Sequence, residues 1–492
     1  MKLFAPILLL ALTAPPCFAE LVTTDEDSKD GDHQVEVFRL TVTPAAEPTP
    51  AFAYRLIKPL DQLKEGNAPA YYRRIHAENI LRGAQSAMEQ KVGREWYDWL
   101  DADVPISQLP LDKVRQAANL SEKVVTHGPR AGADCKRVDW GFAPETLEGM
   151  EAIEFLLPEI QAMRELTRMV ALHTRLAIAE HRYADAVDLM RINYRMGHDT
   201  AQVPFLVCGL VGIAEIGITN NNALDLIAAP DSPNLYWALA ELPEPNLSLR
   251  EAVQFEMSLG PRVFPLLRDP ENASYAPAEW NRRFSGAFAQ LERFNGNSRD
   301  VSSQLSSTFG GVGAGVLGYS HAKERLVDWG YGRDEVEGMA VGRVLAIYSA
   351  RVYRVHADAA AKDIYLPWSE VRKGDPAWER LRQSGPFSDD PDRELIPIAH
   401  MLTPAVRTCC NAVARTERET ALLRAVEAVR MHAAEAGELP AELADVTCVP
   451  VPNNPSTGEP FEYTLEAGVA TFNLPWSDGH RVNRRYEIRL AD

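Results

Sequence analysis

The sequence predicts a mainly α-helical protein: a non-repetitive array of helical hairpins with a short β element at its N-terminus and a small α+β unit at its C-terminus. Two patterns carry this reading. Apolar residues recur at spacings of three and four over most of the chain, as a buried helix face requires. They alternate with polar residues only near Val37 and beyond Phe461, as half-buried strands do. Composition agrees, because 492 residues with 46% hydrophobic and 24% charged side chains can bury a real core, in roughly two to four domains. The expected divisions are a signal peptide at 1–19, a leader and small β element at 20–60, a helical domain at 61–414 and an α+β unit at 415–492.

Met1-Lys2, the apolar run from Leu3 to Leu12 and the small-residue site Cys17-Phe18-Ala19 have the layout of a secretory signal peptide. The run is about ten residues, against the ~20 needed to span a bilayer, so cleavage after Ala19 is expected, leaving a soluble chain from Glu20 with no stable membrane span. The competing reading is a lipoprotein cleaved before Cys17, but Pro15 and Pro16 stand where that processing needs small, flexible residues. The stretch from Asp25 to Asp32 has the acidic rhythm of a calcium loop. Lys29 and Asp30, however, occupy positions that need an oxygen ligand and a glycine, although Glu36 falls at the twelfth position; a solvated leader is expected.

Val35, Val37, Phe38, Leu40 and Val42 predict strand, as do Phe52, Tyr54 and Leu56 after the Pro-rich connection from Pro44 to Pro50. A first helical block runs from Pro69 to Asp101. The region from Val104 to Leu147, broken by prolines and glycines, reads as irregular. Between Pro158 and His198 lies the clearest helical pair, with Ile160, Met163, Thr167, Val170, Thr174 and Ile178 on one face, a turn at His181-Arg182, and Tyr183, Ala186, Val187, Met190 and Tyr194 on the next. Val203 to Ile218 reads as a buried core helix, with further helices from Leu249 to Leu267 and from Asp334 to His356. Asp363 to Asp392 reads as an irregular connection. From Arg415 a helix runs to a stop at Gly437, with Pro440 beyond it. Three strands follow, marked by Phe461, Tyr463 and Leu465, by Ala470, Phe472 and Leu474, and by Tyr486, Ile488 and Leu490. Turns fall at Ala467-Gly468 and Ser477-Asp478-Gly479.

Two resemblances sharpen this outline. Ala177, Tyr183 and Ala186 occupy positions where a tetratricopeptide hairpin places small and aromatic residues, but no second segment repeats the pattern. The segment Arg424 to Tyr463 resembles the globular part of type II secretion major pseudopilins: a helix, a G-x-x-P break at Gly437 to Pro440, then an Asn-Pro, Gly, Pro-Phe run entering a meander. The pseudopilin assembly helix is absent and Asn454 stands where an aspartate is common, so neither pilus assembly nor calcium binding carries over. The chain as a whole, with L-A-I-A-E-H-R-Y-A-D-A from Leu176 and N-L-Y-W-A-L-A-E-L-P from Asn234, looks like a family of exported bacterial proteins ending in this module. The resemblance implies export and a fold module, and no activity.

The net charge of -18, or -19 once Lys2 leaves with the signal (-18 minus +1), repels phosphate backbones and anionic lipid, so no nucleic-acid partner is expected. Of the cysteines beyond Cys17, Cys208 reads as a buried thiol. Cys135, Cys409, Cys410 and Cys448 are left for up to two disulfides of open connectivity.

No chemical motif has its companions. Gly313, Gly315 and Gly318 spell G-x-G-x-x-G without a preceding strand. Ser320 and Lys323 spell S-x-x-K without the other elements of penicillin-recognising enzymes. The 11 histidines show no ligand spacing, His173 and His181 on the hairpin being the nearest to a pair. Glu417 and Glu419, interleaved with Arg415 and Arg418, read as a solvated helix face. The expectation is an exported non-enzymatic scaffold for protein interaction or envelope structure, with an envelope protein as partner and neither metal nor cofactor. The alternative is a hydrolase of peptides or glycans whose site is not visible as a motif. A groove lined by Tyr183, Tyr194, Tyr236 and Trp237 would favour binding. Converging carboxylates or a Ser-His pair in a deep pocket would favour the enzyme.

Overall fold

A computed structural model describes residues 19–28, 31–143, 146–148, 158–294, 318–384, 388–396, 398–402, 406–475 and 482–491. Its strands are β1 (Ala19–Ser28), β2 (Gly31–Val42), β3 (Lys64–Asn67), β4 (Cys135–Arg137), β5 (Glu462–Glu466), β6 (Val469–Leu474) and β7 (Val482–Leu490). The longer helices are α1 (Ala68–Ala77), α2 (Ile80–Val92), α3 (Leu111–Val125), α4 (Pro158–Ala179), α5 (Tyr183–Ala201), α6 (Leu206–Ile227), α7 (Arg250–Val263), α8 (Pro277–Phe294), α9 (318–328), α10 (Val341–Ala361) and α11 (Val406–Ala436). The protein is mainly helical, as expected, with strands at its N-terminus and a small sheet at its C-terminus.

The two ends of the chain build one sheet, in the order β1-β2-β7-β6-β5. β2 runs parallel to β7, pairing Phe38 with Tyr486 and Leu40 with Ile488, and β7 pairs antiparallel with β6, adding Phe472 and Ala470 to the same rows. Period-two alternation puts all six of these side chains on one buried face, where the rings of Phe38 and Tyr486 stack at 4.7 Å. The turn at Ala467-Gly468 has positive φ at both residues (48° and 78°), the geometry of a two-residue hairpin. The turn expected at Ser477 to Gly479 and the signal segment 1–18 lie outside the described residues.

α4 and α5 form the predicted antiparallel hairpin, with His181 at φ 58° in the turn and Ala177 and Ala186 fully buried. α6 packs on both. Gly197 of α5 and Gly212 of α6 meet so closely that a Cβ on Gly212 would lie 2.5 Å from the Gly197 carbonyl oxygen. α11 crosses α6, where Asn220 Nδ2 donates to Thr420 Oγ1 at 3.2 Å and Tyr194 OH donates to Asn220 Oδ1 at 2.7 Å. A second buried cluster forms from the end of α7 with α8, α9, α10 and Leu395 to Ala399, led by Trp280, Tyr348 and Tyr353.

Several expectations are corrected. The stretch expected to be a leader is extended strand from Asp25 to Ser28: it lies in β1, and Asp25 pairs with Gln34 across the hairpin. Phe52 to Leu56 is a turn, closed by Ala53 N donating to Pro50 O at 2.8 Å, with no strand beside it; Leu56 is buried and Phe52 is exposed. The region from Val104 contains α3, whose Val114, Ala117, Ala118, Ser121 and Val124 are buried at helical spacing between Pro110 and Pro129. Short helices at Trp368–Val371 and Pro376–Gln383 interrupt the connection expected to be irregular. α11 begins at Val406, earlier than expected, and ends before Gly437 at φ 81°. Glu417 and Glu419 are half-buried, more enclosed than the solvated face expected, while Arg415 is exposed. Arg418 is buried and donates to Pro475 O, while Glu419 pairs with Arg484.

All five described cysteines are free thiols, against the expected disulfides. Cys135 Sγ donates to Ala131 O at 3.5 Å and Cys448 Sγ lies against Ala428 O, in separate parts of the fold. Cys409 and Cys410 are neighbours on one helix, where successive side chains diverge by about 100°.

Candidate functional site

α5 carries Arg191, Arg195, His198 and Asp199 on one flank, at the i, i+4, i+7 spacing that aligns side chains along a helix, and Gln202 caps its end. Opposite, α3 ends in a wide turn, Thr126–Arg130, where Pro129 breaks regular helix; the chain then passes through Asp134 into β4. Pairing of β4 with β3 holds Lys136 and Arg137 beside this flank of α5, and Leu56 to Lys58 closes the third side. The result is a cleft of about 550 Å³.

The lining carries an excess of cations. Lys58, Arg130, Lys136, Arg137, Arg191 and Arg195 face two carboxylates, Asp134 and Asp199, in a chain whose net charge is -18. Neighbouring acids hold most of these cations in place. Arg130 and Arg191 both pair with Asp188, Lys58 pairs with Asp134, and Lys136 pairs with exposed Glu65 at 2.7 Å. Arg137 is exposed and makes no ion pair among the described residues. Arg195 donates from Nε to Asp199 Oδ1 at 2.6 Å and from Nη2 to Cys135 O at 3.1 Å, which fixes its guanidinium at the base of the cleft.

Behind Arg195 lies a polar network in the core. Asp199 Oδ2 accepts from Tyr72 OH at 2.8 Å, and Thr200 Oγ1 donates to Glu215 Oε2 at 2.9 Å; Glu215 Oε1 has no partner among the described residues. Burial is the main cause of both acids' shifts, raising Asp199 to about 6 and Glu215 to about 8, so Glu215 is largely protonated at neutral pH. Burial likewise lowers His198, which lines the cleft with an Nε2 that has no partner among the described residues. No family model, curated protein or solved structure matches the chain.

The motif residues do not assemble a reaction centre. Gly313 and Gly315 lie outside the described residues, and Gly318 opens α9 with Leu395 packed against its Cα. Ser320 is exposed, while Lys323 donates to Glu337 at 2.9 Å. His173 and His181 are not a ligand pair. His181 bonds Tyr183 in the turn, whereas His173, its side chain 10% exposed, is lowered by burial to about 4 and lies 3.0 Å from Ser121 Oγ and 3.6 Å from Glu122. Ser121, His173 and Glu122 have the residue types of a hydrolytic triad. Ser121, however, is fully buried and its hydroxyl donates back to Ala117 O at 2.9 Å, so the trio is a contact between α3 and α4. Tyr194 and Tyr236 are core residues; Tyr183 bonds Pro230 O and Trp237 bonds Glu47, so these four rings line no common groove.

Proposed function

We propose that this chain is an exported, non-enzymatic helical scaffold whose basic cleft docks an acidic segment of an envelope protein. The observation that carries the reading is the charge at the cleft: its six cations outnumber by two (6 − 4) the four carboxylates that pair with them, Asp134, Asp188, Asp199 and Glu65, on a strongly acidic protein. A concave site of one sign concentrates ligands of the other, and arginines held by ion pairs present donors without further ordering cost. A volume of about 550 Å³ suits a few residues of peptide. Binding needs no activated nucleophile, in keeping with a Ser121 hydroxyl that is buried and bonded back to its own helix.

Export rests on the signal-like segment, and the order of α11 followed by the β5–β7 meander supports the pseudopilin resemblance. Among the described residues no helix is long and apolar enough to cross a membrane. The test is a titration of the purified chain with a fluorescent oligoglutamate peptide, an oligoglutamine control and inorganic triphosphate. Saturable binding of oligoglutamate alone, weakened by salt, is expected. Equal binding of the neutral peptide would remove the electrostatic basis, and preference for triphosphate would replace the acidic peptide by a phosphorylated ligand.

A further inference from the structure

Away from the cleft, in the second core cluster, three chain segments converge on a group that sequence spacing hides. His356 lies on α10, Glu394 in the connection that follows Asp392, and His400 on the short helix Ile398–Leu402. One ring nitrogen of each histidine and a carboxylate oxygen of Glu394 all lie within 4.8 Å of one another. We propose that His356, Glu394 and His400 bind a divalent transition-metal ion, with zinc the best match.

The hydrogen bonds around the trio support this. His356 Nε2 donates to Asp392 O at 2.8 Å, and His400 Nε2 donates to Arg382 O at 2.7 Å. A backbone carbonyl thus bonds Nε2 of each ring, which fixes the tautomer and leaves Nδ1 as the free ligand atom; metal-binding histidines are commonly held in this way. His400 Nδ1 already points at Glu394 Oε2, 2.9 Å away. Glu394 is itself fixed: Oε1 accepts from Ala399 N at 2.6 Å and Oε2 from His400 N at 3.1 Å. On binding, the ion replaces any proton on His400 Nδ1, which passes to solvent, and the Glu394 charge offsets part of the ion's charge.

Two imidazoles and one carboxylate form a borderline-soft ligand set that suits zinc and does not suit calcium or magnesium, which take oxygen ligands. His356 and Glu394 are buried at 1% and 3% exposure, whereas the His400 side chain is 37% exposed. The fourth position therefore opens to solvent on the His400 side. An ion there would clamp the 388–402 segment to α10.

Metal-stripped chain would be titrated with cobalt(II) and followed by its visible d–d absorption, with zinc as competitor. One equivalent of cobalt, displaced by zinc, is expected. His400→Ala, at an exposed position, and Glu394→Gln should each weaken binding roughly tenfold or more. His173→Ala, remote from the trio, should leave it unchanged. Absence of d–d absorption, or cobalt affinity equal in wild type and His400→Ala with the helical circular dichroism intact, would overturn the assignment.

Discussion

Arg430 and Glu427, one turn apart on α11 and both without solvent exposure, pair at 2.8 Å and tie together segments from three parts of the chain. Arg430 also donates to Thr43 O and Ser232 O, each at 3.0 Å. Glu427 accepts from Leu235 N at 2.9 Å. The pair joins the exit of β2, the loop before Tyr236 and α11. Arg430→Met would leave a buried carboxylate unpaired and should cost about 3–5 kcal/mol of stability. Urea denaturation checks this, and adding Glu427→Gln should recover part of the loss.

The Glu215 carboxyl, raised to about 8 by burial, makes stability depend on pH. An acid whose folded pKa lies above its unfolded value binds its proton more tightly in the native state. Its contribution is complete below the unfolded pKa and disappears as pH rises through the folded value. Stability should therefore fall between about pH 5 and pH 8, and Asp199, raised to about 6, acts in the same direction at the lower end. Glu215→Gln can keep the Thr200 bond but cannot ionise. It should flatten the decline by on the order of 2–4 kcal/mol, read from denaturation midpoints at the two pH values.

Gly212→Ala would place a methyl group 2.5 Å from the Gly197 carbonyl oxygen, so α5 and α6 must separate. Overpacking of this kind should cost about 1–3 kcal/mol. Because α5 carries Arg195, His198 and Asp199, ligand binding at the cleft should weaken along with thermal stability. Calorimetric unfolding and peptide titration on the same variant check both.

The free thiols make a direct prediction. Alkylation of the denatured chain without reductant should add one adduct at each of Cys135, Cys208, Cys409, Cys410 and Cys448. In the native state, burial raises these thiols and should make them react slowly. Intact mass before and after reduction decides the point.

The elements that the sequence made legible are those whose burial pattern is local. Phe472 and Leu474 in β6, and Ile160 to Ile178 in α4, show their faces in consecutive residues. The α3 helix was legible in principle through Val114, Ala117, Ser121 and Val124, but the surrounding prolines bracket that helix and do not interrupt it. The pairing of Phe38 with Tyr486 was not legible, because parallel pairing of the two chain ends leaves no local mark. The cleft escaped for a similar reason: Lys58, Arg137 and Arg195 come from three segments, and each alone reads as a solvated charge. Arg195 differs only through buried Asp199, whose burial depends on Tyr72 far earlier in the chain.

The most direct test of the binding account is the affinity of oligoglutamate for the wild-type chain and for a Lys136→Glu/Arg137→Glu variant, measured by calorimetry at low and physiological salt. Both substituted residues are exposed, so the fold should be retained. The account predicts roughly tenfold or greater weakening, about 1.4 kcal/mol or more, and a shallower salt dependence in the variant. Unchanged affinity and salt dependence in the variant would contradict the assignment of the basic cleft as the docking site.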